Sequence, residues 1–305
     1  MVVTRLSDRA YMMDLGFRVM LTFMMLVLCV VTIYPFLNVL ALSFNESLDT
    51  VRGGVHIWPR AFTLENYRRI FATPHLLVAF RNSVLRTVLG VFFTVFSCSA
   101  IAYTLARREF MFRRSFGFMF ALTMYVSGGL IPSYLLIRSL GLFNNFAVYI
   151  IPNLVGAWNV FVIRSYMAGI PDSLVESARI DGANDLTIFA RIIMPLSIPV
   201  LATMALFVAV FQWNQWFDVY LYNATRPGLT TLQFELRKIL EHASIQFSAG
   251  SDLTDLAAAG RQATMVSPRA LRMAMTIVAT VPILTVYPFL QRYFVSGLTL
   301  GAVKS

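Results

Sequence analysis

The spacing of its apolar runs limits this chain more than any other feature. Six stretches, approximately 17–43, 82–106, 115–137, 145–165, 196–222 and 273–294, are long and apolar enough to cross a bilayer as helices. A hydrocarbon core of ~30 Å needs about 20 residues at a rise of ~1.5 Å each. The chain has 305 residues, 58% hydrophobic and 13% charged, with mean hydropathy +0.69. That is too apolar for a soluble core of this size. The expected fold is all-α: a polytopic membrane protein of about six transmembrane helices, forming a single transmembrane domain over residues 1–305. The first run, Val19 to Leu42, is too long for the apolar region of a signal peptide, and no small-x-small cleavage site follows it. It therefore reads as a span.

The formal charge of +10 does not point to nucleic acid, because 23 of the 25 basic residues are arginines and many sit at the ends of apolar runs. There they anchor helices to headgroups. Orientation follows from the short loops. The 107–114 loop carries Arg107, Arg108, Arg113 and Arg114, whereas the 138–145 loop carries only Arg138. The former is expected on the cytoplasmic side, which puts both termini there too. Residues 166–195 then face the cytoplasm, and 44–76 and 223–272 face outward. Within the outer loop, Leu232, Leu236, Ile239 and Leu240 recur at helical spacing, Ser267-Pro268 reads as a helix start, and Ser248 to Ser251 reads as a flexible tip.

The cytoplasmic loop is the most informative segment. Pro171 and Asp172 stop the fourth span, and Ser173 with Glu176 has the spacing of a capping box. Asp181-Gly182 ends a first short helix, and Asn184 or Asp185 can cap a second. That second helix puts Leu186, Phe189, Ile192 and Ile193 on one face until Pro195 and Pro199 break it. The expected product is a stiff elbow with exposed apolar faces, of the kind that marks a protein partner.

These residues resemble the membrane subunits of binding-protein-dependent ABC importers, whose cytoplasmic signature is E-A-A-x-x-D-G-A followed by an apolar helix and a proline. Here it reads Glu176-Ser177-Ala178-Arg179-Ile180-Asp181-Gly182-Ala183, then Ile188, Phe189, Ile192 and Pro195-Leu196, with Ser177 replacing the first alanine. The similarity extends over most of the chain from about residue 80 onward, through Asn82-Ser83, Leu140-Gly141-Leu142, Trp213-Asn214, Tyr287-Pro288-Phe289 and Gln291-Arg292-Tyr293-Phe294. The pattern looks like the carbohydrate-uptake branch, and within it permeases for oligosaccharides of complex polysaccharides, including the alginate type. The resemblance implies a multi-pass subunit of the bacterial inner membrane. Glu176, Ser177, Ala178, Asp181, Gly182, Ala183, Phe189 and Pro195 would form the coupling elbow that docks on an ATPase. Two ATPase subunits carrying ATP and Mg, a second, homologous permease and an outer solute-binding protein are the implied partners. The chain itself has no G-x-x-x-x-G-K-[ST] phosphate loop, and its lysines, Lys238 and Lys304, do not follow glycine.

Polar groups within spans tend to face cavities. At about 100° per residue, Asn214, Gln215, Asp218 and Tyr222 fall on one arc of the fifth span, and Trp213, Trp216 and Tyr220 on a nearly opposite one. The polar arc is expected to line the path and the aromatic arc to pack on a neighbour or lie in the interfacial belt. Gly128, Gly129 and Pro132 interrupt the third span, as in broken transport helices. Asn153, Trp158 and Asn159 in the fourth span are further candidates. Aromatic faces and amides suit a sugar, although helix packing also uses such groups. No catalytic or metal-binding pattern is present: His56, His75 and His242 fall in predicted outer loops, and Cys29 and Cys98 read as small buried hydrophobes. The alternatives are a permease for another solute, such as a peptide, or an ion-coupled transporter. The excess of six basic over four acidic residues in 223–272 does not decide whether a sugar substrate is acidic.

Overall fold

The computed structural model describes the backbone of residues 2–72, 74–248 and 268–302, and the side chains of 12–72, 74–239, 241, 269–286 and 288. Among the described residues the architecture is all helical, apart from an isolated antiparallel bridge between Asn45 and Phe62. The chain divides into two units, one drawn from residues 1–72 and 242–278, the other from 73–241 and 279–305.

In the first unit, α1 (Val2–Ser43) is apolar around its whole circumference from Val19 onward, and residues 12–36 are exposed throughout. A helix hydrophobic on every side is a membrane helix rather than an amphipathic surface one. Beyond it, α2 (Ser47–Arg52) and α3 (Glu65–Ala72) are tied to the end of α1 by two fully buried asparagines. The Asn66 amide donates to the carbonyls of Ser43 and Asn45 at 2.9 and 3.0 Å. The Asn45 amide donates to Asp49 and Thr50 at 2.9 and 3.1 Å, and its oxygen accepts from the Ala61 amide. These bonds satisfy backbone groups where the chain leaves the helix, so this segment is folded rather than a linker.

The second unit is built around α4 (Pro74–Ala106), which packs against α7 (Ala157–Met167) and α10 (Ile198–Asn214). Between α4 and α7 run α5 (Arg113–Tyr125) and α6 (Leu130–Ser139), then two 3₁₀ turns at Phe146–Tyr149 and Ile151–Asn153. Next come α8 (Asp172–Ile180) and α9 (Asp185–Leu196), and after α10 follow α11 (Leu232–Ser248) and α12 (Pro268–Ala302). Among the described residues, three helices are long and apolar enough to span: Met12–Ser43, Pro74–Ala106 and Arg269–Val286. The bent pairs α5–α6 (117°), Phe146–Asn153 with α7 (49°) and α9–α10 (79°) raise the number to as many as six if each pair is one span.

Several expected boundaries move for identifiable reasons. The third span breaks at residues 126–129, where Gly129 takes φ +82°. The fifth run does not continue as one helix to 222: α10 stops at Asn214, Gln215 is extended, and a single wide π-turn covers Val219–Asn223. His75 lies in the first turn of α4 and His242 in α11, not in loops. Cys98 is buried as expected, but Cys29 is exposed on α1. The expected helix over 232–240 is present as α11. The expected Ser267 cap and the tip residues 249–251 lie outside the described residues.

Hydrogen bonds define two ends of the second unit. At one end, the 107–112 loop meets α8 through Arg179 and Glu109. At the other, Asn82 of α4 donates to the carbonyls of Gly228 and Thr230 at 2.8 and 2.9 Å. There the Asn144 amide also donates to the Tyr222 carbonyl, and Arg226 to that of Asn144. The 107–114 and 138–145 loops, which differ in arginine content, therefore lie at opposite ends of α4.

Candidate functional site

The elbow is two short helices joined by a turn that only glycine accommodates easily. Gly182 has φ +81°, where a Cβ would be strained. Its amide donates to the Arg179 carbonyl at 3.0 Å and the Ala183 amide to the Ala178 carbonyl at 2.9 Å, the paired bonds of a Schellman C-cap. Asn184 then caps α9, its side-chain oxygen accepting from the Thr187 amide at 2.8 Å. The expected capping box at Ser173 and Glu176 is absent. Helix α8 begins at Asp172 behind Pro171, so Ser173 is already inside the helix and its spacing to Glu176 caps nothing.

Arg179 locks this turn. It grips Glu109 with both terminal nitrogens, at 2.5 and 2.6 Å, and reaches Asp185 at 3.2 Å. The hydrogen bond from Arg179 holds the Glu109 carboxyl below the usual carboxylate range, and the two carboxylates raise the Arg179 guanidinium. One arginine thus ties α8, the start of α9 and the 107–112 loop together.

The apolar faces are divided differently from the sequence expectation. Val175, Ala178, Ile188, Phe189 and Ile193 pack inward with Cys98, Ala102, Val160 and Ile163. Leu186, expected on the same face as Phe189, is 73% exposed, because Ile188 is the residue of the first turn of α9 that faces the core with Phe189. Exposed at this end are Leu174, Ile180 and Leu186, beside exposed Glu176, Ser177, Asp181, Gly182 and Pro195. Ala178 and Phe189 brace the elbow from within, and Ala183 is half-buried.

Of the expected path residues, the structure brings Asn153, Trp158 and Asn159 together. They line a cleft of about 350 Å³ with Thr94, Phe207, Phe211 and Gln212, in which Trp158 meets Phe207 edge-on at 5.7 Å. None of its lining residues is charged. The other candidates lie elsewhere. The polar arc of Asn214, Gln215, Asp218 and Tyr222 is interrupted because the helix ends between its first two members. Asn214 bonds to Gln233, and Tyr222 stacks on Tyr134. Trp213 is buried and donates to the Ala279 carbonyl at 2.9 Å. Gly128 and Gly129 form the break between α5 and α6.

Sequence reasoning missed the residue that holds Gln212 in the lining of this cleft. Arg86 on α4 is completely buried, and its three nitrogens make five hydrogen bonds. Two go to Gln212 (3.3 and 3.0 Å), two to Asp218 (3.1 and 2.6 Å) and one to the Gln215 carbonyl (3.1 Å). Its guanidinium also lies 4.5 Å from the Tyr149 ring centre. Gln212 in turn donates to the Tyr149 carbonyl at 3.2 Å. The Gln215 carbonyl, freed where α10 ends, is thereby satisfied. A signal existed, since an arginine and an acid within apolar runs call for each other.

Residues 76–300 match the family described as binding-protein-dependent transport system inner membrane component. The chain belongs to this family. The permease is 36% identical over 92% of its length to the polygalacturonan/rhamnogalacturonan transport system permease protein YtcP of Bacillus subtilis, covering 95% of that protein. It is 30% identical to the arabinooligosaccharides transport system permease protein AraQ of Halalkalibacterium halodurans, over 90% of this permease and 92% of AraQ. Among solved structures, it resembles a chain of a bacterial ABC transporter involved in the import of the acidic polysaccharide alginate, with TM-score 0.81, 27% identity, and 92% and 97% of the two chains covered. The relatives are sugar-transport permeases, and the chain is accordingly a membrane subunit of an ABC importer rather than an enzyme.

Proposed function

We propose that this permease forms half of the transmembrane path for an oligosaccharide delivered by a solute-binding protein and driven by two separate ATPase subunits that carry ATP and Mg. The other half is a second, homologous permease. The observation that carries the reading is the elbow. It presents Leu174, Ile180 and Leu186 to solvent while Arg179 fastens it to the 107–112 loop. Exposed apolar side chains on a rigid, charge-braced turn suit a protein partner that must transmit force.

In this reading each bent pair is one span, giving six, with both termini and the elbow in the cytoplasm. The arginine-rich 107–114 loop supports this orientation, as does its bond to the elbow, which keeps both on one side. ATP-driven closure of the ATPases pushes the elbow, and the tight Gly182 turn passes the movement to α9 and across the 79° bend into α10. The cleft lies beside that helix. Trp158 and Phe207 offer aromatic surface for sugar rings, and Asn153, Asn159 and Thr94 offer polar atoms for hydroxyls. The sugar-transport relatives support an oligosaccharide over a peptide or amino acid. The uncharged cleft suits hydroxyl recognition, so selection of an acidic sugar would fall to the solute-binding protein or the second permease.

The test is uptake by proteoliposomes holding the permease, its partner permease and ATPases, with the solute-binding protein and labelled pectic or arabinan oligosaccharides outside. ATP-dependent accumulation is expected, and it should be lost in Gly182→Asp. Uptake by the permease alone on an ion gradient, or ATP-driven uptake unaffected by Gly182→Asp, overturns the reading.

A further inference from the structure

The loop at residues 53–60 carries the most exposed tryptophan among the described residues. Trp58 is 82% exposed and its neighbour Ile57 55%. This loop runs back along α1. Val55 packs on Ala41 and Leu42. Asn38 donates to the carbonyls of Val55 and His56 at 2.9 and 2.8 Å, and the Tyr34 hydroxyl meets His56 Nδ1 at 3.1 Å. The returning segment ends at Ala61 and Phe62, which pair with Asn45 just past the end of the helix. Ile57 and Trp58 therefore occupy the turn of a hairpin that descends α1 from its end toward Tyr34.

The length of α1 sets the depth of that turn. The ion pair of Arg18 with Asp14, at 2.8 Å, is the last charge before the apolar stretch, and no charged residue follows until Glu46. From Arg18, about 20 residues at ~1.5 Å each cover the ~30 Å hydrocarbon core, and that count ends at Asn38, the residue that holds the loop. The hairpin turn thus lies at the level of the opposite membrane–water boundary. Amphipathic aromatic rings favour this level. Arg60 is held by Asp49 at 3.1 Å and by the Gly53 carbonyl, while Arg52 is exposed beside the loop, a charge suited to a lipid phosphate.

We propose that Ile57 and Trp58 form an interfacial anchor, inserted among lipid headgroups on the outer side, that fixes the depth of α1. The inference rests on α1 being a span. Trp58 is the part of the loop that enters the lipid, Arg52 faces the phosphates, Arg60 holds the loop to Asp49, and the Asn38 bonds transfer the position of the boundary to the helix.

The chain has four tryptophans, so Trp58 is isolated by difference. The assembled transporter is placed in nanodiscs of phosphatidylethanolamine and phosphatidylglycerol, with or without acyl chains brominated near the headgroup, as wild type and Trp58→Phe. If Trp58→Phe fails to incorporate, Trp58→Cys carrying a polarity-sensitive fluorophore reports the same position. The expected result is a wild-type minus Trp58→Phe emission that brominated lipid quenches several-fold and aqueous acrylamide barely affects. A difference emission untouched by brominated lipid overturns the proposal, whether acrylamide reaches it, meaning water, or neither quencher does, meaning a protein cover. If aqueous acrylamide instead reaches a fluorophore carried on Cys29, exposed within the apolar stretch of α1, α1 is not a span and the membrane reading fails with it. Quenching of the other tryptophans without Trp58 removes the anchor alone.

Discussion

Arg86 and Asp218 form a two-pronged ion pair, at 3.1 and 2.6 Å, between side chains 132 positions apart in sequence. Arg86 has no exposed surface, so neither charge can be left alone without a large penalty. Removing one partner of such a pair costs about 3–5 kcal/mol, whereas replacing both by apolar groups is often near neutral. Arg86→Met and Asp218→Leu should each lower the unfolding midpoint in nanodiscs markedly, and the double variant should recover most of the loss. A double variant as unstable as the sum of the singles contradicts the pairing.

Gly90 makes room for the same cluster. A Cβ there would lie 2.7–2.9 Å from three atoms of the Gln212 side chain, which Arg86 and the Tyr149 carbonyl hold in place. Gly90→Ala should cost about 1–3 kcal/mol through overpacking and displace Gln212 from the cleft. The check is thermal unfolding together with the apparent KM for uptake, which should rise.

Local features of the fold were legible in the sequence where glycine, proline or a cap fixes the backbone. Gly129, Gly182 and Asn184 mark breaks or caps because only a few residue types suit those conformations. Properties set by distant contacts were not legible. The arc through Asn214 and Asp218 failed because the helix stops at Gln215, and that stop is held by Arg86 from another helix. Leu186 lies outside the buried face because Ile188 turns inward in its place, and an apolar pattern with both residues does not choose between them. The membrane class and the elbow were readable from hydropathy and motif. The cleft was readable only in its fourth-span members, since Thr94, Phe207 and Phe211 look like ordinary span residues.

Gly182→Ala isolates the backbone of the elbow from its chemistry. An L-residue in the left-handed region costs about 1–2 kcal/mol, so the turn should loosen without new bulk or charge. ATP hydrolysis by the assembled transporter should become less dependent on the solute-binding protein, while membrane insertion is unchanged.

The Arg179–Glu109 contact carries a pH sign. The Glu109 carboxyl lies below its ordinary value of 4.5 because Arg179 bonds to its charged form. A depressed acid contributes fully above its unfolded value and loses that contribution as pH falls through the folded one. Coupling of ATP hydrolysis to uptake should therefore be insensitive to this contact between pH 7 and about pH 5. Glu109→Gln should weaken coupling at every pH in that window. Wild-type coupling that fades near neutrality, and no longer does so in Glu109→Gln, would oppose the assignment.

The central claim is that the elbow is where the ATPase binds, and a photo-crosslinking side chain placed at Ile180 tests it most directly, since Ile180 is 86% exposed on α8. A second probe at Trp58 serves as a control from the other unit of the chain. In the assembled transporter, illumination should join the ATPase to position 180 and not to position 58. A transporter that hydrolyses ATP and takes up sugar yet gives no ATPase adduct from 180, or gives one from 58 instead, would contradict the account.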